Sequence, residues 1–91
     1  MRSVDPVLPG AEIVAVGIED LRNGRDTAEA LLVSMAATRL RQLGFDIPPA
    51  IADPEHRLWE QLAQEGADAA HGRYNSLVRR LVSFQRAACA S

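Results

Sequence analysis

Two side chains in this sequence have the types and the spacing of a metal-binding or acid–base pair. His56 and Glu60 lie four residues apart, so on a helix they would project from the same face, where an imidazole and a carboxylate can bind one metal ion. A zinc site requires three or four ligands, and this pair supplies two. The spacing therefore favours a solvated pair on a helix surface, and we expect neither a metal ion nor a cofactor.

The remaining nucleophiles and bases do not stand in catalytic motifs. Ser34, Ser76 and Ser83 fall within helical patterns and lack the flanking glycines of a nucleophile elbow. Cys89 lies near the end of the sequence, where a helix frays, and His71 has no paired carboxylates beside it. No glycine-rich loop of the phosphate-binding kind is present in the sequence. These observations predict a protein that is not an enzyme.

The stretch HGRYNSLVRRLVSFQR, residues 71–86, is the strongest functional signal in the sequence. It contains four arginines and no acidic residue, in a chain whose formal net charge is −2. On a helix, residues seven apart lie nearly on one line, so the arginines form a basic band beside an apolar stripe. A helix of this kind is typical of a protein interface, with an apolar centre and a charged rim. The predicted partner-binding residues are Arg73, Tyr74, Arg79, Arg80, Phe84 and Arg86.

Two other interpretations of the arginines remain open. Cations collect near the C-terminus of a helix because the macrodipole favours them there, which explains Arg86 better than Arg73. Direct contact with nucleic acid is not favoured, because 12 acidic residues outnumber 10 arginines and the segment PPAIADP is too long for the tight turn of a helix-turn-helix motif. A DNA-binding transcriptional regulator is therefore the alternative to a protein-binding module.

Trp59 is expected in the core, and it would be an interface anchor if it were exposed.

The composition indicates one small intracellular domain. Isoleucine, leucine, valine and phenylalanine make only 23 of 91 residues, so the core is thin, and a partner or self-association could add stability. A single cysteine cannot form an internal disulfide, which fits a reducing cytoplasm. The early prolines interrupt any secretory signal, and no apolar run approaches the roughly 20 residues that span a membrane.

Helical spacing and turn signals predict an all-α bundle of about four helices, near 12–23, 26–43, 54–65 and 69–88. Asn23-Gly24 indicates a helix end, Asp26 an N-cap with Glu29 three residues later, and Asp53-Pro54 another helix start. The alternation of Val14 and Val16 leaves a strand open for the first segment. We predict a flexible lead-in over residues 1–10 and a single helical domain over 11–91. The predicted core comprises Leu31, Leu32, Met35, Leu40, Leu62, Leu77 and Leu81.

Three stretches of the sequence together resemble a known group of proteins. They are GIEDLRNGRDTAEALLVSMAATRLRQLG, DPEHRLWEQL and HGRYNSLVRRLVSFQRA, which extend over residues 17–87. This pattern is similar to small actinobacterial proteins encoded beside nucleotidyltransferase toxins of the AbiEii/MenT type. The resemblance implies an antitoxin, which binds and neutralises a toxin that adds nucleotides to the acceptor ends of tRNA. It implies no individual functional residues.

Overall fold

The computed structural model describes residues 2–90, and these residues form a small all-α bundle of four helices without a strand, as the helical spacing predicts. Met1, the first residue of the expected lead-in, and Ser91, the last of the expected domain, lie outside the described residues. No helix among residues 2–90 has the length and apolar character needed to cross a membrane. The helices are α1 Ala11–Arg22, α2 Ala28–Met35, α3 Ala37–Gln42 and α4 Pro54–Ala90.

Helix α1 packs closely against α2. Val14 is fully buried and Val16 is exposed. In a strand, residues two apart lie on one face, so the different burial of these two side chains fits a helix. The strand alternative for this segment is therefore wrong. Gly17 lies at the contact, where a β-carbon would come within 2.5 Å of the carbonyl oxygen of Glu29. The absence of a side chain at Gly17 thus allows the two helices their close approach.

The connection between α1 and α2 contains a helix end and a helix start. Asn23 and Gly24 end α1 as predicted, with Gly24 in the left-handed region at a φ of 72°. The N-cap of α2 is Thr27, whose hydroxyl oxygen accepts a hydrogen bond from the amide of Ala30 at 3.2 Å. The prediction of Asp26 as N-cap is wrong by one residue, because the Thr27 hydroxyl reaches the free amide.

The predicted helix over 26–43 is two helices, since the backbone departs from helical geometry at Ala36. The amide of Ala36 bonds the carbonyl of Val33, only three residues back, which tightens the last turn of α2. Ser34 is buried beside this point, and its hydroxyl donates to the carbonyl of Ala30 while accepting from the amide of Ile51. Such a serine side chain bends a helix, and here it also ties the connection after α3 to α2.

Helix α4 reverses direction at Gly66. A straight helix of 37 residues would be about 55 Å long, whereas the longest dimension of the molecule is 37 Å. Gly66 has φ 167° and ψ 99°, which is extended rather than helical backbone. We call residues 54–65 the first arm and residues 67–90 the second arm. The two arms correspond to the predicted helices at 54–65 and 69–88, and only Gly66 lies between the arms.

The core lies where α1 and α4 pack on α2. Among its fully buried side chains, Phe84 contacts Phe45 with ring centroids 5.5 Å apart. Five of the seven predicted core residues are buried, namely Leu31, Leu32, Leu40, Leu62 and Leu81. The other two, Met35 and Leu77, are partly buried against the same cluster.

Residues 2–10 contain no helix but make specific contacts. The guanidinium of Arg2 donates hydrogen bonds to the carbonyl oxygens of Leu43, at 3.0 Å, and Ala88, at 2.9 Å. It also lies 4.8 Å from the ring centroid of Phe45. Gly10, which has a φ of 74°, lies directly against the backbone of the second arm. The flexibility of the lead-in stays a prediction, and these contacts show where it lies on the bundle.

Candidate interaction site

The reversal at Gly66 brings together two aromatic residues that lie fifteen positions apart in the sequence. Trp59 on the first arm contacts Tyr74 on the second arm, with ring centroids 5.7 Å apart and ring planes at 75°. Trp59 also contacts the imidazole of His71, at 6.2 Å and 76°. The three rings line a cleft of about 420 Å³ between the arms. We call this feature the aromatic cleft, and its volume lies within the range of typical ligand pockets.

Polar groups surround the rings. Asp53 and Glu55 lie at the start of the first arm, together with His56, and Asn75 lies on the second arm beside His71, its amide nitrogen 3.1 Å from the ring. Asp53 has a φ of 51°, which is left-handed geometry for a residue other than glycine. Neither carboxylate has an ion-pair partner within residues 2–90. The aromatic cleft therefore combines apolar walls with two uncompensated negative charges.

The phenol of Tyr74 is held in its neutral form by this environment. Burial raises the pKa of Tyr74 above its usual value, and the nearby negative charge of Glu55 raises it further. The ring of Tyr74 lies against Trp59 of the first arm. Tyr74 and Glu55 lie on facing arms, and both side chains line the aromatic cleft.

The pair of His56 and Glu60 forms as its spacing predicts. The imidazole and the carboxylate are in contact, and both side chains are more than half exposed. In the part of the chain that the structure describes, no three histidine, cysteine, aspartate or glutamate side chains are grouped around a common point for a metal ion. The geometry is that of a solvated pair on a helix surface.

The arginines of the second arm fall into two sets. Arg73 forms an ion pair with Glu65 of the first arm, and Arg80 forms one with Glu12 of α1. These contacts join different parts of the chain, so both cations are already compensated within the molecule. Exposed pairs of this type add little to stability, but they reduce the charge that a partner would encounter.

Arg79 and Arg86 have no ion pair among residues 2–90. Both are exposed. Arg79 follows Asn75 by four residues, so it lies one helical turn beyond the aromatic cleft on the same side of the second arm, and Arg86 follows seven residues later. The two uncompensated cations therefore extend the candidate surface away from the cleft.

Phe84, by contrast, is part of the core. Its side chain has no exposed surface, and it packs against Phe45 and beneath Gly10. The sequence pattern placed Phe84 and Tyr74 on one stripe, and the structure separates them: Tyr74 lies at the edge of that stripe, and Phe84 is turned into the bundle. Phe84 therefore does not belong to the candidate surface.

Trp59 is the residue of the site that sequence reasoning placed in the core. Its side chain is 40% exposed, one of few large apolar side chains with that much exposure. A signal was present in the sequence, because Leu58 and Leu62, four residues apart, define the buried side of the first arm. Trp59 follows Leu58 by one residue and so points about 100° away from it.

Comparison with protein-family models, with curated proteins and with solved structures finds no match to this chain.

Proposed function

We propose that this chain is a small protein-binding module that contacts its partner through the aromatic cleft and the exposed Arg79 and Arg86. The observation that carries the proposal is the exposure of Trp59, which lies against Tyr74 at the wall of a concave surface. Tryptophan, tyrosine and arginine are the residues most enriched among those that dominate binding energy at protein interfaces. A thin core supports the same proposal, because binding would stabilise the fold.

The partner that we propose is a nucleotidyltransferase toxin, which the chain would neutralise as its antitoxin. This part of the proposal rests on the resemblance of residues 17–87 to proteins encoded beside such toxins. The structural features that support it are a small helical bundle and an exposed aromatic anchor. A module of this size can act on a larger enzyme by covering part of its surface.

The proposal is tested by titrating the chain into the purified toxin and measuring the incorporation of labelled nucleotide into tRNA. We expect inhibition that saturates at a fixed stoichiometry. Trp59→Ala should weaken the inhibition about 30-fold or more, as expected for a binding anchor worth at least 2 kcal/mol. Val16→Ala is the matched control, because Val16 is 46% exposed on α1 and does not line the aromatic cleft. Undiminished incorporation of nucleotide into tRNA at a saturating concentration of this chain would contradict the antitoxin proposal.

The role of the two uncompensated arginines is tested by binding kinetics. Arg79→Ala combined with Arg86→Ala should slow association and reduce its dependence on salt, because exposed rim charges act mainly on the association rate. Arg22→Ala on α1 is the control, since Arg22 is also exposed but pairs with Glu19. Equal association rates for the double variant and the control would remove the arginines from the interface.

The DNA-binding regulator remains the second candidate because the same two arginines are exposed without internal partners. Cations in this state can contact phosphates. Fluorescence anisotropy with the DNA upstream of the gene tests this candidate. Sequence-specific binding that is lost in Arg79→Ala with Arg86→Ala, together with no effect on the toxin, would favour the regulator.

A further inference from the structure

We propose that the aromatic cleft receives an arginine side chain of the protein partner, so that a guanidinium group lies against Trp59 and Tyr74 and between the carboxylates of Asp53 and Glu55. This inference rests on the proposed function, since it names the chemistry that the binding module would recognise. This contact has the opposite polarity to the one predicted from the sequence, in which arginines of this chain form the charged rim of the interface.

The walls of the aromatic cleft suit a planar cation. The faces of tryptophan and tyrosine rings carry negative electrostatic potential and attract a cation within about 6 Å of the ring centre. Trp59 and Tyr74 stand at 75° to each other and so form two walls of a corner rather than a closed stack. The partial exposure of Trp59 leaves one side of this corner accessible to a partner.

The negative charges at the mouth of the aromatic cleft also favour an arginine side chain as its occupant. Asp53 and Glu55 both line the cleft, and within residues 2–90 neither is compensated by a cation of the chain. Glu55 can accept hydrogen bonds from a guanidinium group, because a carboxylate has about four lone-pair positions. Arginine matches this arrangement better than lysine does, since its planar group can stack on a ring and donate to carboxylates at the same time.

A short blocked peptide with a central arginine tests the proposal on the intact chain. Trp59 is the only tryptophan, so its fluorescence reports on the aromatic cleft directly. The peptide should change this fluorescence saturably. The same peptide with citrulline, which has nearly the shape of arginine but no charge, should bind about fivefold or more weakly. Equal binding of the two peptides, or no saturable binding of either, would overturn the proposal.

Variants locate the binding within the molecule. Glu55→Gln and Asp53→Asn should each weaken binding of the arginine peptide. Glu19→Gln removes the same charge from an exposed position on α1 and should leave the affinity for the peptide unchanged. Circular dichroism and thermal unfolding verify that each variant is folded. An equal loss of affinity in Glu19→Gln would show that only net charge matters and would overturn the proposal.

Different results would contradict the proposed arginine occupant of the cleft and the proposed antitoxin function. Sedimentation equilibrium that reveals a dimer, abolished both by Arg79→Ala and by Glu55→Gln within the cleft, would show that the cleft holds an arginine of a second copy, which overturns this inference. Peptide binding without inhibition of the toxin would instead contradict the antitoxin proposal and leave the chemistry of the aromatic cleft intact.

Discussion

Two glycines on helices, Gly17 of α1 and Gly72 of the second arm, are expected to respond in opposite directions to substitution by alanine. Both lie within helices, where alanine is favoured over glycine by roughly 1 kcal/mol because it restricts the unfolded chain. A β-carbon at Gly72 would meet nothing within 4 Å. Gly72→Ala should therefore stabilise the protein by about 0.5–1 kcal/mol, which for a domain of this size raises Tm by up to about 4–8 °C.

At Gly17 the same gain is opposed by a steric clash. The new β-carbon would lie 2.5 Å from the carbonyl oxygen of Glu29, which is backbone, and would also clash with the buried side chain of Val33. Relief requires α1 and α2 to separate by roughly 1 Å, and overpacking of this kind costs about 1–3 kcal/mol. Because both variants share the propensity gain, Gly17→Ala should be less stable than Gly72→Ala by about 1–3 kcal/mol.

Urea unfolding followed by far-ultraviolet circular dichroism measures both variants against the parent chain. The comparison depends on equal denaturant slopes, since a changed slope would indicate a changed denatured state rather than changed packing. If Gly17→Ala stabilised the protein as much as Gly72→Ala at equal slope, α1 and α2 would not be in close contact at this point. The packing account of the bundle would then have to be abandoned.

Further substitutions test the caps, the cleft and the contacts of residues 2–10. Thr27→Ala removes the cap of α2 and should lower the free energy of unfolding by about 1–2 kcal/mol, measured by urea unfolding; no loss would contradict the capping role. Tyr74, the only tyrosine, should titrate above the ordinary value of 10.0, and Glu55→Gln should lower its pKa toward that value, measured by phenolate absorbance; an unshifted pKa would contradict the burial of the phenol and its proximity to Glu55. Since the folded-state pKa of Tyr74 is raised, its stabilising contribution should be complete below pH 10.0 and lost as the pH rises through the folded-state pKa. Gly10→Ala should destabilise more than Gly24→Ala in thermal unfolding: both have positive φ, but only at Gly10 would a β-carbon meet the backbone of the second arm, at 2.5 Å, and equal losses would count against that contact.

The helices themselves could be predicted because their signals act over a few residues. Asn23-Gly24 ends α1 and Pro54 begins α4 through backbone restrictions that the neighbouring residues cannot override. The apolar spacing likewise predicted that Leu31, Leu32 and Leu40 are buried, because they stand at the centre of a broad apolar face. The break at Ala36 was not predictable in this way, because the apolar spacing continues through it.

The sequence by itself determined the helical class, the main helix boundaries and a set of arginines on the second arm. Only the tertiary structure decided which aromatic side chains lie at the surface. Phe84 and Tyr74 share one apolar stripe, and the position of Phe45 and Gly10 turns Phe84 inward while the reversal at Gly66 brings Trp59 to Tyr74. Helical periodicity predicts an apolar face that is broader than the area one neighbouring element covers. Residues at the edge of that face are therefore buried or exposed according to which elements pack against them.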